Sequence, residues 1–111
     1  MLMQNLSEDI LFAILPAEPE ISKQLKALNE QVSDRCEFDI IIDFSMVEII
    51  TSPSISNLII LHNWLEGSGH RLVLCNLGFA TKCIFKTVGL DNFFAFAEDK
   101  AEALATLQPD K

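Results

Sequence analysis

Short apolar runs alternate with stretches of helical period along this chain, and that alternation constrains its fold more than any other feature. Residues 10–15 form a continuous apolar run closed by Pro16 and Pro19, residues 38–44 a nearly continuous Ile-rich one, and residues 71–75 a third. Runs this short and this apolar read as strands buried on both faces. Between the first two, Ile21, Leu25, Leu28 and Val32 recur at spacings of four, three and four, the stripe of an amphipathic helix that starts at Glu20 and ends near Cys36. Ile55, Leu58, Ile59, His62 and Leu65 put a stripe on a second helix, stopped by Gly67-Ser68-Gly69. Phe79, Cys83, Ile84 and Val88 mark a third, with Gly89 as its left-handed C-terminal residue. Residues 93–96 make a last strand, and residues 1–6 pair as an edge strand beside the first run. Asp99 caps a final helix carrying Ala101, Leu104, Ala105 and Leu107, with Pro109 beyond its end.

Strands alternating with helices in this way predict an α/β fold: a mixed, largely parallel sheet of four or five strands packed with about four helices, its right-handed crossovers covering one or both faces. With 111 residues, half of them apolar, the chain is expected to form a single domain over residues 1–111. No apolar run approaches the length of a membrane span, and residues 1–9 have no basic region leading a signal-peptide core, so a cytoplasmic protein without membrane insertion is expected. Cys36, Cys75 and Cys83 are odd in number and form no C-x-x-C pair, which disfavours a disulfide framework or a thiolate metal site and fits a reducing compartment. Sixteen acidic against eight basic residues give a net charge of -8, which repels nucleic acid and anionic lipid. A partner surface should be basic or mixed.

The chemistry concentrates where the strand of residues 38–44 passes through a short loop into the second helix. Ser52 has the type and position of a helix N-cap, followed by Pro53 at the first helical position, where a missing N–H costs nothing. A phosphate added there would meet the positive end of the helix dipole. Thr51 and Ser54 read as turn formers. A hydrolytic grouping of Ser52, His62 and Asp43 fails on distance, because ten helical residues separate Ser52 from His62 by about 15 Å. His62 reads as a half-buried histidine on the apolar stripe, His70 as solvated, and Cys75 and Cys83 as core thiols. Gly67-Ser68-Gly69 lacks the lysine-bearing helix start of a phosphate-cradling loop. Among Phe93, Phe94 and Phe96, neighbours on a strand must face opposite ways, which leaves burial on both faces or one exposed partner contact.

The order of elements and the wording at four places resemble the STAS domain, the family of anti-sigma-factor antagonists and related signalling modules. Those places are Ile41-Ile42-Asp43-Phe44-Ser45, then Val47-Glu48-Ile49-Ile50 leading into Thr51-Ser52, then Gly69-His70-Arg71-Leu72-Val73-Leu74-Cys75-Asn76, and finally Phe85-Lys86-Thr87-Val88-Gly89-Leu90-Asp91. The resemblance implies a non-enzymatic protein without cofactor or metal. In the family, a serine following a loop aspartate is phosphorylated by a partner kinase that is also an anti-sigma factor, and the unphosphorylated form binds that kinase. Ser52 matches the serine, and Thr51, Ser54, Ile55 and Asn57 are the implied contact surface, with Glu20 at its margin. Where the family loop reads Asp-Ser-Ser/Thr-Gly, this one reads Thr51-Ser52-Pro53-Ser54; Glu20 stands as the acidic residue that could replace the missing aspartate. The loss of the aspartate and glycine keeps a second reading open: a non-phosphorylated, constitutive subunit of a larger signalling or lipid-transport complex.

Overall fold

The computed structural model describes residues 2–33 and 36–107. Its elements run β1 (Leu2–Ser7), β2 (Ile10–Ile14), α1 (Glu20–Val32), β3 (Asp39–Asp43), α2 (Ser52–Gly67), β4 (Leu72–Cys75), α3 (Phe79–Thr87), β5 (Ala95–Ala97) and α4 (Lys100–Leu107). The five strands form one sheet in sequence order, β1 antiparallel to β2 and the rest parallel. This is the expected mixed sheet, edge strand included.

Alternation along the strands sorts the core into two layers. Leu11, Ala13, Ile40, Ile42, Leu72 and Leu74 face α1, α2 and α3, and meet Ile21, Leu25, Leu28, Leu58, Leu61, Leu65 and Phe85. Ile10, Phe12, Ile41, Val73 and Cys75 face the other way, onto Ala103 of α4. A parallel strand buried on both sides has to be apolar at every position, which is why β3 reads as an unbroken Ile run. The α1 stripe holds residue for residue, with Asn29 added to it. Gly69 and Gly89 take φ of +79° and +80°, closing α2 and α3 as their sequence positions require.

Three expectations need correction. The last strand is Ala95–Ala97, and Phe93 and Phe94 lie in the turn before it. On α3 the helical period is right but the phase is shifted: Thr81 and Phe85 face the core with Ile84 half-buried against it, while Phe79, Cys83 and Val88 are exposed. The aromatic cluster decides the phase, because Phe85 meets Phe44, Phe94 and Phe96 edge to face at ring distances of 5.6–6.2 Å, contacts between residues far apart in sequence. On α4, Ala103 is the buried residue, Leu104 and Leu107 are half-buried, and Ala101 and Ala105 are exposed. The Asp99 cap is present, its Oδ1 accepting from the Glu102 N–H at 2.9 Å while Glu102 Oε1 accepts from the Glu98 N–H, one residue before the usual capping-box partner. Pro109 lies outside the described residues.

Candidate functional site

The loops after β2 and β3 emerge side by side at the carboxyl end of the sheet, because those strands are parallel neighbours in register from Ile10 opposite Asp39 to Ile14 opposite Asp43. Leu15 N–H donates to the Asp43 carbonyl at 3.1 Å, fastening the first loop to the second. Asp43 is buried at the strand end, where Oδ1 accepts from Ser45 N–H at 2.6 Å and Oδ2 from Asn76 Nδ2 at 2.8 Å. Asn76 reaches it from the end of β4 with φ at +58°, a conformation asparagine tolerates better than most residues. A carboxylate with both oxygens engaged in this way is a brace for the loop roots.

From that base the β3–α2 loop climbs with Val47 and Ile50 in the core and Met46 and Ile49 held outward, 63% and 66% exposed. It ends at α2, where the cap is one residue earlier than the sequence suggests. Thr51 has the extended backbone of an N-cap, Ser52 is the first helical residue and Pro53 the second. The expected Ser52 cap is therefore wrong, and the reason lies in another loop. Glu18, between β2 and α1, places Oε2 at 2.8 Å from the Thr51 N–H, the Thr51 hydroxyl and the Ser54 hydroxyl, all three donating to it. The external carboxylate thus takes the Thr51 N–H and places its charge at the positive end of α2, where no side chain from within the helix caps it.

Glu18, not Glu20, is thus the acidic residue beside Thr51 and Ser52. Glu20 is exposed in the first turn of α1, where its charge suits the helix dipole. The only signal that could have singled out Glu18 is its place between Pro16 and Pro19 at the same sheet end; two glutamates two positions apart cannot be ranked without knowing which points at α2. Ser54 is fully buried, so it belongs under the surface as a prop for Glu18 and not among exposed contacts. Ile55 is half-buried against the core. Asn57 is half-buried at the α1–α2 seam, its carbonyl accepting from Asn29 Nδ2 at 3.0 Å and its own Nδ2 donating to Pro53 O at 3.0 Å and to Ser22 O at 3.4 Å. Thr51 and Ser52 remain exposed. Among the described residues no hydrogen bond holds the Ser52 hydroxyl. A cavity of about 340 Å³, lined by Ala17, Glu18, Met46, Glu48 and Ile49, opens beside them.

The histidines lie elsewhere. His62 lies against Phe93 with ring centroids 4.5 Å apart and planes tilted by 46°, and brings Nε2 to 3.6 Å from Glu66 Oε1. His70 is not solvated as expected: its Nδ1 is 3.1 Å from Asp39 Oδ1, which also accepts from the Arg71 N–H at 2.8 Å, tying the start of β4 to that of β3. Cys36 and Cys75 are buried, and burial pushes the Cys75 thiol up to about 12, with Asp43 and Asp99 adding to the rise. Among the described residues no three His, Cys, Asp or Glu side chains gather as a metal site.

In comparison with known proteins, the STAS domain family model matches residues 11–103. No curated protein matches in sequence. Among solved structures, the anti-sigma factor antagonist SpoIIAA of Bacillus in its unphosphorylated form superposes with a TM-score of 0.76 at 14% identity, over 95% of this chain and 93% of that one. RsbS of Moorella thermoacetica, carrying a serine-to-glutamate substitution, gives 0.76 at 20% identity over 95% and 92%. A chain of the stressosome, described as a signal integration and transduction hub, gives 0.72 at 19% over 95% and 94%.

Proposed function

The chain belongs to the STAS domain family, and on that premise we propose that it is a non-enzymatic, cytoplasmic signalling protein of the anti-sigma-factor-antagonist type. It binds a serine kinase that is also an anti-sigma factor, and phosphorylation of Ser52 controls that binding. The observation that carries this reading is the division of labour among three neighbouring hydroxyls. Those of Thr51 and Ser54 are committed to Glu18, whereas that of Ser52 is exposed with no partner among the described residues. Ser52 is therefore the hydroxyl a kinase can reach. Met46 and Ile49 supply apolar contact area next to it, with Thr51 and Ile55 at its edge. A phosphate would add about -1.5 to -2 charge one residue from the amide that holds Glu18, repelling that carboxylate and loosening the contact surface. SpoIIAA, solved in both phosphorylated and unphosphorylated forms, supports a switch on this fold.

A second reading is favoured by Glu18 itself. Its carboxylate already fills the anion position at the start of α2, and Pro53 removes an amide there, as suits a constitutive subunit of a larger signalling or lipid-transport complex that is never phosphorylated. Two variants separate the readings. Because Ser52 is not the cap, Ser52→Ala should stay within about 0.5 kcal/mol of wild type and keep its affinity for a purified kinase-type anti-sigma factor. Ser52→Asp, whose charge meets both the positive end of α2 and the Glu18 carboxylate, should remain folded at the assay temperature yet bind that partner more weakly. If Ser52→Asp binds as tightly as wild type, and intact mass of the protein from its native cells shows no phosphate, the constitutive reading replaces the switch.

A further inference from the structure

Of the two edges of the sheet, one is protected and one is open. The β5 edge is three residues long, a length that offers little to pair with. The β1 edge is six residues long, and among the described residues nothing pairs along its outer side. Its sequence, Leu2-Met3-Gln4-Asn5-Leu6-Ser7, contains no charge and no proline, two of the devices that blunt an edge. Leu2 and Met3 are 73% and 47% exposed. From Leu2 to Asn5 the strand runs in continuous register with β2, and the register shifts only between Asn5 and Ser7. Four residues of regular, uncharged edge are therefore open on a chain whose net charge is -8.

We propose that this edge docks a second copy of the same chain, β1 pairing antiparallel with β1 about a two-fold axis to join two sheets into one. Two features favour a copy of itself over another occupant. An antiparallel edge is self-complementary, so one strand supplies both halves of the ladder. Two chains of charge -8 can also approach most closely where neither carries charge, and the neutral surface continues from the strand onto α1. There Met3 with Gln24, Ala27, Leu28 and Gln31 lines a cavity of about 180 Å³ without a single ionisable group. A two-fold axis normal to the sheet keeps both α1 helices on the same face of the joined sheet, so this neutral shelf is repeated across the seam. So short a ladder buries little area, so the dimer is weak and concentration-dependent. Leu2 pairs with Ile14, so the open part of the edge lies at the same end of the sheet as the Ser52 surface, one strand out from the loops that carry it.

The test is sedimentation equilibrium of the 111-residue chain from low to high micromolar concentration, paired with amide exchange. Wild type should rise from the 12.4 kDa monomer toward twice that mass. The outward amides within residues 2–5 should become protected as concentration rises. Met3→Lys places the new charge against its own copy, and because a two-fold interface contains the substitution twice, association should fall roughly tenfold. At low micromolar concentration, where both chains are monomeric, its melting temperature should stay close to that of wild type, since Met3 is half exposed. Leu2→Glu should act the same way from the other face. A chain that stays monomeric at high micromolar concentration overturns the proposal. So does a dimer indifferent to both substitutions, or one whose β1 amides exchange equally at all concentrations.

Discussion

Replacing Glu18 by alanine removes one oxygen that three donors share, and the structure fixes what each donor loses. The Thr51 amide and hydroxyl are exposed and re-bond to water, so together they account for about 0.5–1 kcal/mol. The Ser54 hydroxyl is fully buried, and its other neighbour, Thr51 Oγ1, is 3.4 Å away; stranding it costs about 1–2 kcal/mol. The total, about 1.5–3 kcal/mol, corresponds to a fall in melting temperature of about 10 °C for a chain of this size. Glu18→Gln keeps an acceptor oxygen and forfeits the charge assistance and the helix-dipole contribution, so it should lose about 1 kcal/mol. Urea denaturation of Glu18→Ala, Ser54→Ala and the double variant completes the cycle. The double variant should be less destabilised than the sum of the singles, because removing the Ser54 hydroxyl also removes the group that Glu18→Ala leaves stranded. A Glu18→Ala variant within about 0.5 kcal/mol of wild type, or strict additivity with Ser54→Ala, would refute the account of Glu18 as the capping carboxylate of α2.

Asp99→Ala should cost about 1 kcal/mol by urea denaturation, through loss of the bond to the Glu102 amide at the start of α4. With the Cys75 proton held to about 12 in the folded chain against an ordinary 9.0, the folded state binds more protons than the unfolded one between those values. Stability present below pH 9 is therefore lost as pH rises above it, by about 1.4 kcal/mol per pH unit from this thiol. Cys75→Ala should flatten the alkaline limb of a stability-versus-pH curve by that slope. Exposed Cys83 should react with a thiol reagent in the native state, while Cys36 and Cys75 should react only on unfolding, so stopped-flow labelling should show one fast thiol of three.

What the sequence determined by itself is local. An unbroken apolar run must be buried on both faces, so β2, β3 and β4 were legible from residues 10–15, 38–44 and 71–75, and a largely parallel sheet from the helices between them. A stripe as regular as Ile21, Leu25, Leu28 and Val32 leaves a helix one face to bury, and glycines after α2 and α3 marked turns that need positive φ. The Ser52 loop could be placed at a helix start for the same reason. Tertiary structure decided everything that depends on a partner distant along the chain. The phase of α3 followed from Phe85 meeting Phe44, Phe94 and Phe96; its own residues offered a competing stripe in Phe79, Cys83 and Val88, and period alone cannot choose between two stripes. His70 became structural because the parallel register of β3 and β4 brings Asp39 to it. The cap of α2 moved from Ser52 to Thr51 because Glu18 arrives from a loop more than thirty residues earlier. A hydrogen bond between side chains so far apart leaves no periodic trace in sequence, and that bond determines which of the three hydroxyls is left free.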